Sequence, residues 1–395
     1  MKKFIYGLEA KLLKKIRKYD NKCIVMVSDS MKPRVAKIGY ALRKKGYHVI
    51  FLMQKSEKNR IGNAEVPFFD KLCYFDNGID AYMKCLRFAP LVYHIFSEAN
   101  IGEWVEYLIK KKNDLGKIVY DQYDVYRGLS SIFIRDCVER EKYCMENADG
   151  LCCRNFETQF LKHKYNYKFN GERILFLDYC WNNHSVKRKK RNINQPLRIV
   201  YGGRILPNKA KMVLGKTEWE AIEFLAQKLN ESDNDFYMIP SGECDKRLYR
   251  DFYKLDESLV HFKLKKTMPY KRLIHFESRM DYGIDCLEFQ NKADEYKKYY
   301  RLTDYEAKAR YYATNKFFDY LDAGIPIIYG RKGEMFGRYL SAYGVAVPCE
   351  LENMPNEFNN LKSRRDEYAK NVIVAREKLA VENQIERLIL FYKQL

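Results

Sequence analysis

The segment "TNKFFDYLDAGIPIIYG", residues 314–330, changes character partway along. An amphipathic run ends at Gly324, and an apolar run opened by Ile325 and Pro326 follows. Gly324 suits the left-handed position that closes a helix, and Pro326 cannot continue one. The segment therefore predicts a helix running into a buried strand. Lys316 and Asp319 are three residues apart, so they share a face near the N-terminal end of that helix. Phe317, Phe318 and Leu321 form its packing face. A helix N-terminus with free amides and a cation beside it is an anion site. A carboxylate one turn further on can accept two vicinal hydroxyls. The plain alternative is a solvated Lys–Asp pair, which is worth little.

Outward from this segment, apolar runs alternate with helical patterns. "CIVMVS" (23–28), "YHVIFLM" (47–53), "PLVYHIF" (90–96), "KIVYD" (117–121) and "GLCC" (150–153) are strand candidates. "LRIVYGG" (197–203), "DFYMIPSG" (235–242), "SLVHF" (258–262), "MDYGID" (280–285) and "IPIIYG" (325–330) form a second series. Continuous apolar strands of this kind belong to parallel sheets covered on both faces. Between the series, "DYCWNNHSVKRKKRNINQP" (178–196) is polar, basic and aperiodic, and reads as a linker. The last stretch, about 363–393, reads as one or two long helices. The fold class is α/β, with two Rossmann-like doubly wound domains expected to face a cleft. The expected division is an N-terminal domain at 1–178, a linker at 179–196 and a C-terminal domain at 197–375. A final helix, 376–395, is a candidate to pack back on the N-terminal domain. Ligands of open α/β sheets bind beyond the carboxyl ends of the strands, so the loops there should carry the chemistry.

Composition is consistent with this plan. A chain of 395 residues suits two domains, and 47% hydrophobic content with 33 Tyr and 23 Phe supplies large aromatic cores. No run of about 18 apolar residues is present, so no membrane span is expected. The N-terminus lacks the apolar core of a signal peptide. Eleven cysteines without metal-ligand spacing point to a reducing, cytoplasmic setting. The net charge of +20 attracts polyanions, although a lysine-rich surface alone gives the same count. Phe4, Ile5, Leu8, Leu12 and Ile16 recur at helical spacing among lysines. That pattern suits a helix lying on the anionic inner face of a membrane, and equally one packed on its own domain. The charges run along the whole chain without a basic-aromatic stripe, so no nucleic-acid partner is expected.

"NKFFDYLDAGIPII" resembles the segment NK-x-x-(E/D)-Y-L-x-x-G-x-P-(V/I)-I of GT-B glycosyltransferases, which use nucleotide-sugar donors. "RIVYGGRI" (198–205) resembles the first strand and glycine-rich turn of their C-terminal domain. "EREKYCMENADGLCCRN" (139–155) resembles the segment that closes their N-terminal domain, and "MDYGID" the strand before the nucleotide helix. The resemblance implies a nucleotide-sugar donor and a hydroxyl acceptor on a glycan, a lipid-linked carrier or a protein. It implies that Gly202 and Gly203 let the backbone approach the donor diphosphate and that Arg204 neutralises it, with Lys209 a second cation. It gives Lys316 the phosphates of the leaving nucleotide and Asp319 the ribose. Cations and backbone amides then replace a metal, and no metal or other cofactor is expected; "DNDFY" (233–237) precedes a strand rather than ending one. Retaining members carry a glutamate eight positions before the residue matched by Asp319, and here Tyr311 stands there.

An inverting transferase needs a general base on the acceptor side. Asp29, Glu98, Asp121 and Asp124 all follow strand candidates. Asp124 is the first choice and Glu98 the second, with loop capping the competing account of each. His94, inside a strand pattern, reads as a core histidine. Residues 286–312, rich in Tyr and Lys, read as a lid or as a solvated insertion. Two other functions fit the same fold: a nucleotide-sugar epimerase, and a non-catalytic binding subunit of a glycosylation complex.

Overall fold

The computed structural model describes residues 2–55, 68–96, 102–122, 125, 135–182, 185–188, 191–192, 194–203, 213–240, 249–285, 311, 313–330, 334–349 and 353–395. The chain divides into two units, Met1–Asp178 with Val381–Leu395, and Tyr179–Ala380.

The first unit contains α1 (Lys2–Ile16), β1 (Tyr19–Ser28), α2 (Pro33–Lys44), β2 (His48–Gln54), β3 (Lys71–Phe75), α3 (Gly78–Cys85) and β4 (Ala89–Phe96). It continues with α4 (Glu103–Lys110), α5 (Lys112–Leu115), β5 (Ile118–Gln122), α6 (Arg135–Asn147), β6 (Gly150–Cys153), α7 (Glu157–Tyr165) and β7 (Glu172–Leu175). Its strands form a sheet in the order β3-β2-β1-β4-β5-β6-β7, with every pairing parallel. Ile24 to Val27 of β1 and Ile118 to Tyr120 of β5 are fully buried, as a two-sided sheet requires.

The second unit contains β8 (Arg198–Gly203), α8 (Val213–Glu231), β9 (Asp235–Pro240), α9 (Arg250–Ser258), β10 (Phe262–Leu264), α10 (Tyr270–Glu277) and β11 (Tyr282–Ile284). After these come α11 (Asn315–Asp322), β12 (Ile327–Tyr329), α12 (Glu334–Ser341), β13 (Ala346–Pro348) and α13 (Met354–Lys378). The sheet order is β10-β9-β8-β11-β12-β13, again all parallel. On one side, Leu197, Ile199 and Tyr201 pack with Ile222, Leu225 and Leu229 of α8 and with Phe358 and Leu361 of α13.

Both sheets reverse their strand order once in the middle, between β1 and β4 in the first unit and between β8 and β11 in the second. Such switch points leave a crevice beyond the strand ends, because the neighbouring connections run to opposite sides.

The basic stretch 179–196 belongs to the second unit, and its arginines are not surface decoration. Arg188 and Arg191 pair with the fully buried Asp281, at 2.7 Å and 2.5 Å, and Arg365 of α13 reaches the same carboxylate. The last helix, α14 (Val381–Gln394), packs on α2 of the first unit, where Glu386 meets Lys45 at 2.8 Å.

Candidate functional site

The segment 314–330 folds as its pattern requires. Phe317, Phe318 and Leu321 are buried, α11 stops at a left-handed Gly324 with φ +80°, and β12 follows Pro326. The first turn of α11 carries no acidic residue, and its N-cap Thr314 makes no side-chain cap bond. The N-cap side chain therefore takes none of the helix's leading amides.

Lys316 extends from that first turn across the end of β8. Its ammonium lies 4.7 Å from the ring centroid of Tyr201 and 3.2 Å from each oxygen of Asp285, which is fully buried just beyond β11. Gly203 has φ +154°, and any side chain there would collide with the aliphatic stem of Lys316. The glycine is therefore needed both for its backbone and for the passage of the lysine. Tyr320, on the next turn of α11, ties the two central strands together. Its hydroxyl accepts from the Gly202 N–H at 3.0 Å and donates to the Ile284 carbonyl at 2.9 Å. Gly202, Gly203, Asp285 and Lys316 thus converge on the switch point between β8 and β11.

Asp319 is partly exposed and takes a hydrogen bond of 2.9 Å from the Tyr270 hydroxyl of α10. The same hydroxyl lies 3.2 Å from Asp322, whose other oxygen caps the Trp181 N–H at 2.7 Å. Burial, and then Asp319 and Asp322, push the Tyr270 hydroxyl well above its usual range, so it serves as a donor. Arg204 and Lys209 lie outside the described residues, as does the stretch 286–310. Tyr311 begins the described residues again, ahead of α11.

In the first unit, Asp124 and Glu98 also lie outside the described residues. Asp121 is described, and it is committed elsewhere. Fully buried in β5, it receives Arg34 at 2.9 Å and 2.8 Å, and His94 at 3.1 Å. Burial alone would raise its carboxyl, but Arg34 and then His94 outweigh that and hold it well below the usual range. His94 is a core histidine. Burial lowers its pKa, its second nitrogen meets the Tyr392 hydroxyl of α14, and its ring stacks on Phe96. His94, Asp121 and Cys152 are close enough to share a metal ion, yet the Arg34 guanidinium already bonds both Asp121 and Cys152. Asp29 follows β1 and pairs with Lys32 at 2.8 Å and the Ser30 amide at 2.7 Å, which makes it part of the turn into α2.

Two polar residues of the second unit gave no clear signal in the sequence. Asp285 ends the quoted "MDYGID" and could have been found by the strand-end rule applied to the acceptor side. Glu277 sits in an ordinary amphipathic helix, and only burial sets it apart.

No protein-family model matches the chain, and no curated protein matches it in sequence. Solved structures do. A glycosyltransferase from Rickettsia africae ESF-5 superposes with a TM-score of 0.59 at 12% identity, covering 95% of this chain and 99% of that one. An alpha-glucosyltransferase in complex with UDP-glucose and DNA gives 0.58 at 11%, covering 93% and 98%. A trehalose 6-phosphate synthase from Burkholderia multivorans gives 0.57 at 7%, covering 95% and 97%. With two all-parallel sheets of seven and six strands, matched over nearly the full length of these structures, the chain has the GT-B fold.

Proposed function

We propose that the chain is a glycosyltransferase that moves a sugar from a nucleotide-sugar donor to a hydroxyl acceptor in glycan or glycoconjugate synthesis. One observation carries the reading. A lysine on the first turn of α11, whose N-cap side chain makes no cap bond, lies over a glycine turn at the β8/β11 switch point, which is the arrangement an anionic diphosphate needs. As the glycosidic bond breaks, negative charge grows on the leaving diphosphate, and a fixed cation with backbone donors stabilises it. Asp319, held by Tyr270 on α11, is proposed to accept ribose hydroxyls. Arg204 and Lys209 follow the glycine turn in sequence and are proposed as further donor-site cations. Asp124, or else Glu98, is proposed as the base of an inverting reaction. A nucleotide-sugar epimerase is the second reading, because a UDP-GlcNAc 2-epimerase from Neisseria meningitidis shares the fold at a TM-score of 0.51 and 8% identity.

A thermal-shift panel of UDP, GDP, CMP and dTDP derivatives tests the donor reading, since a ligand that binds only the folded protein raises its melting temperature. UDP is the first candidate, as two of the similar structures have UDP-sugars bound. Asp319→Ala is expected to weaken nucleotide binding by about 1–3 kcal/mol, the worth of a charged hydrogen bond. Equal affinity in a titration would remove the ribose assignment. Conversion of the donor without any acceptor would favour the epimerase.

The acceptor reading extends to a membrane-bound, lipid-linked substrate, and here the structure adds an observation. Arg17 and Lys14 fasten the end of α1 to the first unit through the Phe88 and Asp114 carbonyls and the Asp114 carboxylate. That leaves Leu12 and Ile16 facing solvent at 59% and 63% exposure, with Tyr19 at 67% beside them. Lys11, Lys15 and Lys18 border the same surface and are exposed. No helix among the described residues is long and apolar enough to cross a membrane. An apolar strip rimmed by cations suits the surface of an anionic bilayer. The protein is expected to pellet with anionic vesicles, less so as salt screens the attraction, and not with neutral ones. Leu12→Glu with Ile16→Glu should abolish pelleting without lowering the melting temperature. Equal pelleting with neutral vesicles, or none at all, would remove the membrane from the proposal.

A further inference from the structure

Glu277, the last residue of α10, is 1% exposed, and its Oε2 has no hydrogen-bond partner among the described residues. A buried polar group left without a partner is destabilising, and native proteins keep few of them. Its other oxygen lies against the glycine turn, where a Cβ built on Gly202 would stand 2.6 Å from Oε1. The missing side chain at Gly202 is what lets the carboxyl reach the backbone there. The groups around it are known. Tyr270 lies on the same helix, and Asp319 and Asp322 come from α11, which packs beside α10. Strand β8 brings Gly202, and Lys316 is paired with Asp285. Burial first, and then the charges of Asp319 and Asp322, push the Glu277 carboxyl well above the usual range. Burial thus favours its acid form, and its Oε2 has no partner among the described residues.

We propose that Glu277 is a ligand-binding residue of the glycine turn, donating a hydrogen bond from its acid form to an anionic oxygen held at Gly202–Gly203. This rests on the reading of that turn as a nucleoside diphosphate site. An ionised Glu277 would repel such a ligand, so binding requires the proton. The group's folded pKa is raised, so the competent acid form is present at low pH and is lost as pH rises through that pKa.

The test is titration of UDP and of GDP into the full chain. Between about pH 7.5 and about pH 9 the diphosphate keeps its charge, since its last ionisation lies near pH 6. Over that range the wild-type affinity is expected to fall as the carboxyl loses its proton, by no more than about tenfold per pH unit. Glu277→Gln keeps a donor that cannot ionise, and its affinity is expected to be the same at both values. Glu277→Leu has no donor and should bind about tenfold more weakly than wild type at the lower pH, with no further loss at the higher one. Its melting temperature should hold or rise, because an apolar group replaces an orphaned carboxyl; a purely structural residue would lose stability instead. The proposal is overturned if Glu277→Leu binds like wild type, if Glu277→Gln follows the wild-type decline, or if the wild-type affinity is flat. Binding that Lys316→Ala removes but that ignores Glu277 overturns this inference alone. Absence of binding by either nucleotide overturns the donor site and this inference with it.

Discussion

Lys316→Ala is expected to lower sugar transfer by about a hundredfold or more and to abolish the thermal shift given by nucleoside diphosphates. The magnitude is that of removing one preorganised charged donor from developing negative charge. The ammonium is not loosely held. Asp285 fixes it from one side at 3.2 Å, and the Tyr201 ring supports it from below at 4.7 Å. A cation so fixed would meet a diphosphate without first giving up rotamer freedom, unlike a solvated lysine. The same pairing complicates the experiment, because the alanine leaves Asp285 buried without its cation. A buried charge that loses its partner destabilises a fold in its own right. Lys316→Ala combined with Asp285→Asn separates the two effects. The pair variant is expected to recover melting temperature and to remain inactive. Recovery of activity along with stability would mean that Lys316 serves the fold only, and the donor site would have to be sought elsewhere.

How far the sequence led can be seen strand by strand. Each inner strand of both sheets announced itself as an apolar run, from "CIVMVS" to "IPIIYG". The three strands that did not, β3, β7 and β13, are edges of their sheets. An edge strand has one neighbour and one open side, so it need not be apolar throughout. β3 has only its last residue buried, and β7 is exposed or half-buried along its length. At the fourth edge, β10, the apolar pattern begins a few residues before the strand. Val260 looked like a strand residue but is 75% exposed, and the strand begins at Phe262. The site divides similarly. Lys316, Gly202 and Gly203 were legible because a helix start, a glycine pair and a strand end are local patterns. The partners that hold them were not. Asp285 stands 31 positions from Lys316 in sequence, and Tyr320 is 118 from Gly202. Those pairings exist only once parallel strands with long crossovers have brought the ends together. Asp121 shows the reverse case. A carboxylate at a strand end has the look of a base, and only the folded chain reveals Arg34 and His94 against it.

That buried cluster should make the first unit sensitive to loss of a single charged partner. Arg34 is 2% exposed and donates to Asp121, to the Leu177 carbonyl and to Asp178, while Arg154 takes the other oxygen of Asp178 at 2.6 Å. The cluster joins α2, β5 and the residues after β7, and through His94 and Tyr392 it extends to α14. Asp121→Asn is expected to cost about 3–5 kcal/mol, because it strands a guanidinium in a site built for a carboxylate. A lowered midpoint of the first unit's transition in urea would measure it. Arg34→Met with Asp121→Leu should lie much closer to wild type, since removing both charges together also removes the desolvation they suffer. If the double variant is as unstable as the single one, the cluster acts through shape rather than charge. The pH dependence gives a second readout. The folded pKa of Asp121 is depressed, so its contribution is fully present above the unfolded value of about 3.9. It is lost as pH falls from there through the folded pKa. Wild type should therefore lose stability on acidification faster than Asp121→Asn, and the two curves should converge at low pH. Parallel curves would mean that Asp121 is already neutral in the folded protein. The Arg34 guanidinium would then face a carboxylic acid, and the ion pair would not be the cluster's source of strength.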